Sequence, residues 1–264
     1  MPRIYGGMPA TSLEVLFTPA DFNAPRDWSD SVCVVFDVLR ATTSIVTALA
    51  NGAAAIRPVA EISEAVTLLR GQPELLLAGE RDGLRITAHQ AEGVEFDFGN
   101  SPREFTPERV AGRMIVVTTT NGTRALRACA GASTVLIGSF HNLRAITHWL
   151  KKHRPHKLLL VCSGTHEEAA LEDILAAGAL CERLWADYAS GHIADSAEMA
   201  RRLYPLMQSD LTGAMQFSRN GRRLLALPEL RADVAYCMQR EIHQLVAVMQ
   251  PNGLITKLPE EPAQ

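Results

Sequence analysis

Apolar positions along the chain fall into short runs separated by polar turns. "SLEVLFTP" alternates apolar and polar residues, as a strand with one covered face does. "SVCVVFDV" is almost continuously apolar, the pattern of a strand buried on both faces. "RATTSIVTALANGA" reads as a helix stopped at Asn51-Gly52, glycine being the favoured left-handed cap. The pattern continues with "AAIRPVA" (strand), "EISEAVTLLRG" (helix), "ELLLAGER" (strand) and "MIVVTTTNGTRALRAC" (strand, polar turn, helix). "STVLIGSF" (strand), "NLRAITHWLKKH" (helix), "KLLLVCSG" (strand) and "EEAALEDILAAGALCERLW" (helix) follow.

This alternation predicts an α/β fold, three-layer α/β/α, with a largely parallel or mixed sheet. Residues 186–239 read as mostly helical and weakly patterned, and "GLITKL" as a last strand. No linker rich in Pro, Gly or Ser divides the chain, and no fixed-period repeat is present. The expected organisation is an N-terminal arm (1–12), one domain (13–258) with a division into two lobes left open, and a tail (259–264).

Composition narrows the classes. The formal net charge of −3 over 264 residues gives no case for a nucleic-acid or anionic-membrane partner. No apolar run approaches the roughly 18 residues of a membrane span, and no basic-then-apolar leader opens the chain, so a cytoplasmic protein is expected. Five scattered cysteines without a C-x-x-C pair read as reduced, buried thiols. The basic residues are almost all Arg, whose planar fork suits carboxylate and phosphate, although GC-rich coding would give the same bias. The eight histidines show no zinc spacing.

Chemistry is concentrated where strands end. In open α/β sheets ligands bind beyond the carboxyl ends of the strands, and six polar turns fall there: "DVLRATTS", "AGER", "FGNSP", "TTTNGTR", "GSFHN" and "CSGTHEE". Several carry charges that capping does not require, notably Asp37 with Arg40, Glu80 with Arg81, and Arg124 in a helix first turn. Ser101-Pro102 and Thr165-x-x-Glu168 read by default as a cap and a capping box. Glu172 and Asp173 lie off the apolar stripe of their helix; a solvated face and a site for a hard cation are both open. The familiar phosphate signatures are missing. There is no G-x-x-x-x-G-K-[ST] and no G-x-G-x-x-G, no second acid two positions after Asp37, and no Arg six positions after Cys33 or Cys162.

The ordered set "FDVLRATTSI", "AGER", "FDFGNSP", "TTTNGTRAL", "GSFHN" and "LEDILAAGA" resembles the 2-phosphosulfolactate phosphatase (ComB-like) family, from residue 14 to about residue 237. The resemblance implies a Mg2+-dependent phosphatase converting 2-phospho-3-sulfolactate to sulfolactate and phosphate, an activity tied to coenzyme M biosynthesis in methanogens. On that reading the catalytic candidates are Asp37, Arg40, Glu80, Arg81 and Arg124, with the arginines clamping the anionic substrate. Asp37, Glu172, Asp173 and Asp195 are the metal candidates. Thr42, Thr43, Asn100, Ser101, Thr120, Asn121, Gly122, Thr123 and Ser163 are the substrate-binding candidates. Attack by metal-bound water and by Asp37 itself both stay open. The competing classes are an inactive anion-binding module on the same fold, and a nucleotide or sugar transferase, which the scarcity of aromatics in the turns disfavours. Oligomeric state is not written in these patterns; a homodimer is carried only as an expectation.

Overall fold

In the computed structural model, which describes residues 11–259, every predicted strand–helix alternation is present. The arm expected at 1–12 falls mostly on residues outside the described ones, and so does the tail beyond residue 259. The strands are β1 (Ser12–Leu16), β2 (Ser31–Phe36), β3 (Ala55–Pro58), β4 (Leu76–Arg81), β5 (Leu84–Arg85), β6 (Met114–Thr118), β7 (Thr134–Gly138), β8 (Lys157–Cys162), β9 (His192–Ile193), β10 (Ala247–Met249) and β11 (Ile255–Lys257). The helices are α1 (Pro19–Asn23), α2 (Ala41–Ala50), α3 (Ile62–Gly71), α4 (Pro107–Val110), α5 (Gly122–Ala128), α6 (Leu143–His153), α7 (Leu171–Tyr188), α8 (Asp195–Met207), α9 (Leu211–Ala214), α10 (Arg219–Ala226) and α11 (Arg231–Cys237).

The strands join in the order β5-β4-β6-β3-β11-β10-β7-β2-β8-β1-β9. Two parallel blocks make up most of the sheet: β4-β6-β3, and β7-β2-β8-β1-β9. The hairpin of β10 and β11 bridges them, pairing antiparallel with β7 on one side and β3 on the other. The sheet is therefore mixed because its C-terminal hairpin fills the gap between blocks.

Residues of β2 alternate between two cores. Val32, Val34 and Phe36 pack with α6, α7 and α8, while Cys33 and Val35 pack with α2 and α5 on the other face. That explains its unbroken apolar run. A third, smaller cluster joins Val116 of β6 and Leu77 of β4 to Val66 of α3. All five cysteines are buried and free. Three successive antiparallel pairings set the two blocks in opposite directions, yet the segments at the ends of β2 and β8 in one block and of β4 and β6 in the other meet at one cleft, which Asp37, Thr165, Glu80 and Thr120 line.

Candidate active site

Asp37 follows the last residue of β2 and is pinned by the helix that succeeds it. Its Oδ1 accepts the Ala41 N–H at 3.2 Å, and its own N–H donates to Thr42 Oγ1 at 3.0 Å. The other carboxylate oxygen faces the start of α5. A Cβ built on Gly122 would stand 2.8 Å from Asp37 Oδ2 and 2.7 Å from the Ala41 Cβ, so only glycine lets α5 approach this closely. Asp37 is 8% exposed. Burial raises its pKa to about 7; the Ala41 N–H opposes the shift, and the charges of Glu80 and Glu172 add to it.

Three more buried carboxylates surround it. Asp173, in the first turn of α7, accepts the Val38 N–H at 2.8 Å, Ser163 Oγ at 3.2 Å and the Gly164 N–H at 3.3 Å. Burial, with Glu172 and Asp37 as like-charged neighbours, holds its carboxyl well above the ordinary range. Glu172 accepts from Asn220 Nδ2 at 2.7 Å and from the Ser218 hydroxyl. Glu80 accepts the Thr120 N–H and hydroxyl, both at 2.9 Å, and the Gly83 N–H at 2.7 Å. The solvated-face reading of Glu172 and Asp173 is thereby corrected: both are 1% exposed. Among the described residues, however, no group of three His, Cys, Asp or Glu is placed to hold a metal ion. The expected ligand trio of Asp37, Glu172 and Asp173 is not a preassembled cage, because the last two spend oxygens on backbone and side-chain donors. Asp195, at the start of α8 and exposed, lies beyond the edge strand β9 and is not brought to this cluster.

The arginines separate into different roles. Arg40 lines the cleft but is 3% exposed, with one guanidinium nitrogen 2.7 Å from Asp233 and another 2.6 Å from the Gly83 carbonyl. Asp233, on α11 and fully buried, also accepts Ser101 Oγ at 2.7 Å. Arg81 turns beneath the sheet edge, donating to the Glu80 carbonyl at 2.7 Å and to Thr118 Oγ1 at 3.0 Å, and does not line the cleft. Arg124 pairs with Glu167 on the surface, both exposed, and likewise lies outside the lining.

The hydroxyls near Asp37 are structural in this arrangement. Thr42, Thr43 and Ser44 are buried; Thr43 Oγ1 donates to the Val38 carbonyl at 2.9 Å and Ser44 Oγ to the Asn100 carbonyl at 2.8 Å. Thr123 Oγ1 donates to the Thr119 carbonyl at 2.9 Å, one turn back. Of the substrate-binding expectations, Asn100, Thr120 and Asn121 line the main cleft, and Ser101 lines an adjoining one. Gly122 and Ser163 touch the acids rather than the opening. Ser101 stands at the N-cap of a short 3-10 helix (Pro102–Glu104) with Pro102 at its first position, as expected, but its hydroxyl turns to Asp233 instead of the helix. The capping box is absent: Thr165 and Glu168 form a tight turn by exchanging backbone hydrogen bonds of 2.8 and 3.1 Å, so that α7 starts only at Leu171.

The cleft also contains residues that the sequence reading did not assign: Asp82, Gly83, Thr119, His166, Asn220 and Arg223. Asn220 and Arg223 come from the weakly patterned helical region. Ser218, whose hydroxyl accepts the Gly221 N–H at 3.1 Å, was the one local signal that a helix begins there. His166 sits at φ 55° in the tight turn, and its N–H donates to Asn121 Oδ1 at 3.2 Å.

A family model described as 2-phosphosulpholactate phosphatase matches residues 16–252. A protein named "Probable 2-phosphosulfolactate phosphatase" from Thermosynechococcus vestitus is 36% identical over 241 residues, covering 88% of this chain and 95% of its own length. Proteins of the same name from Caldanaerobacter subterraneus subsp. tengcongensis and Synechococcus sp. (strain JA-3-3Ab) are 37% and 41% identical, covering 87% and 84% of this chain and 92% and 90% of their own.

Proposed function

The chain belongs to the 2-phosphosulpholactate phosphatase family, and we propose that it is a Mg2+-dependent phosphomonoester hydrolase acting on 2-phospho-3-sulfolactate or a closely related phosphorylated hydroxy acid. One observation carries this reading. Asp37 and Glu80 are buried in the lining of the cleft and Glu172 and Asp173 are buried beside Asp37, whereas, among the described residues, the one buried arginine of the lining, Arg40, is already neutralised by Asp233. A polyanionic substrate would meet a surplus of negative charge, which a divalent cation resolves.

The donor set suits Mg2+ in particular, since this ion is held by one or two carboxylates together with phosphate oxygens and waters rather than by an all-protein cage. Asp37, whose second oxygen is not spent on the helix start, is the first such carboxylate, with Asp173 and Glu172 behind it. Bound there, Mg2+ would neutralise the phosphate oxygens and polarise the bond to be cut. The remaining work falls to the chain. Thr119, Thr120 and Asn121, at the end of β6, would orient the phosphoryl group beside the α5 N-terminus. Glu80 fixes that loop through the Thr120 N–H, and Gly83 through its own. A loose transition state asks mainly for such positioning and charge neutralisation. The leaving alkoxide needs a proton, and His166, which lines the cleft, would give it. Water rather than Asp37 is the attacking group in this reading.

Phosphate release from a panel of phosphorylated hydroxy acids tests the proposal. The account expects turnover of 2-phospho-3-sulfolactate above that of simple alkyl phosphates. Retained binding of sulfolactate with no turnover of any phosphate would instead favour an anion-binding module.

A further inference from the structure

Among the described residues two guanidinium groups, those of Arg40 and Arg223, line the main cleft, and they differ in freedom. Arg40 is spent between Asp233 and the Gly83 carbonyl: freeing it would leave the fully buried Asp233 only the Ser101 hydroxyl and the half-exposed Arg103 at 3.5 Å, and a poorly compensated buried charge is destabilising. Arg223 is held only loosely. Its nearest acid, Asp82, is 3.7 Å away and 89% exposed, and a surface pair of this kind constrains little.

Its placement, by contrast, is precise. The first turn of α10 is fastened to the acid cluster, because Asn220 donates to both Thr165 Oγ1 and Glu172, and Ser218 to Glu172 as well. Arg223 stands three residues after Asn220, on the same helix face, and lines the same cleft. Opposite it, Asp82 and Gly83, at φ 57° and 78°, form the tight turn that joins β4 to β5. The Arg223 guanidinium lies against that turn: its atoms are 3.5–3.9 Å from where a Gly83 Cβ would be. The same glycine gives its N–H to Glu80 and its carbonyl to Arg40. Arg223 is thus a loosely paired planar fork at the rim, lying against the Asp82-Gly83 turn.

We infer that Arg223 is the specificity-determining residue of the cleft, recognising an acidic group that the substrate carries beside its phosphate, a carboxylate or sulfonate. This rests on the phosphatase reading for the identity of the substrate, but not for the existence of the anion contact. The phosphoryl group belongs at the floor with Asp37; the rim fork suits two oxygens of a second acid. Asp82 is the resident carboxylate that such an acid displaces.

The test compares wild type with Arg223→Gln and Arg223→Lys. Calorimetric binding of sulfolactate, which has no phosphate, should weaken by roughly ten- to a hundredfold in Arg223→Gln, the range of a lost charged hydrogen bond, and by less in Arg223→Lys. With 2-phospho-3-sulfolactate, KM should rise by a similar factor while kcat stays within about threefold. An alkyl phosphate without a second acidic group should show no change in KM. Unchanged sulfolactate binding in Arg223→Gln, or an equal KM rise on the alkyl phosphate that lacks a second acid, overturns the inference. Arg223-dependent sulfolactate binding by a wild type that hydrolyses nothing would instead sink the phosphatase reading and leave the anion contact standing. Thermal unfolding of Arg223→Gln at the wild-type midpoint guards against a folding artefact, since this side chain is 39% exposed.

Discussion

Replacing Asp37 with asparagine should inactivate the protein and, without metal, make it more stable. Folding moves the Asp37 carboxyl from 3.8 to about 7. Each unit corresponds to about 1.4 kcal/mol, so keeping the buried side chain ionised costs on the order of 4 kcal/mol once pH exceeds the folded value. Because the folded pKa is the higher one, the protonated carboxyl contributes its full stability below about pH 4, and that contribution is lost as pH rises through about 7. The Asn variant has no such titration and keeps an acceptor for the Ala41 N–H. Urea unfolding in EDTA should therefore place Asp37→Asn roughly 1–2 kcal/mol above wild type at pH 5, and several kcal/mol above it at pH 8. Equal stability at both pH values, or the same offset at both, would refute the claim that Asp37 is held at the cleft against its own charge.

Other perturbations separate architecture from chemistry. Asp233→Ala strands Arg40 and should cost about 3–5 kcal/mol in urea unfolding; a loss below about 1 kcal/mol would mean that this pair does not organise the wall. Gly122→Ala forces a methyl group against Asp37 Oδ2, so kcat should fall on the order of a hundredfold while the fold survives; wild-type kcat would contradict the packing. His166→Gln should slow alkyl phosphates far more than an aryl phosphate, whose phenolate leaves without a proton, and equal slowing on both would remove His166 as the acid.

The strand–helix alternation was legible because each element is short, apolar and bounded by turn residues. The doubly buried β2 was read from its composition alone, and its two cores bear this out. The wedge of β10 and β11 between two parallel blocks was not legible, since strand order is a tertiary outcome. The strand-end turns located the cleft, but proximity in sequence did not reveal which side chains face it. Thr42 and Thr43 adjoin Asp37 and turn inward to close backbone hydrogen bonds, whereas Asn220 and Arg223 reach the cleft from far along the chain. Arg40 looked like a free clamp because its partner, Asp233, is separated from it by 193 residues. Capping rules placed Ser101 correctly at a short helix start but not its hydroxyl, and they failed at Thr165, for the same reason: each hydroxyl is claimed by a distant side chain, Asp233 or Asn220.

The central claim is that an excess of buried carboxylate, centred on Asp37, makes phosphate-ester cleavage depend on a divalent cation. Phosphate release from 2-phospho-3-sulfolactate, followed while Mg2+ is titrated into chelator-treated protein, tests it most directly. The account predicts no turnover before Mg2+ is added, saturable turnover as it is added, and none at any Mg2+ concentration in Asp37→Asn. Full activity in excess chelator, or Mg2+-dependent turnover by Asp37→Asn equal to wild type, would contradict it.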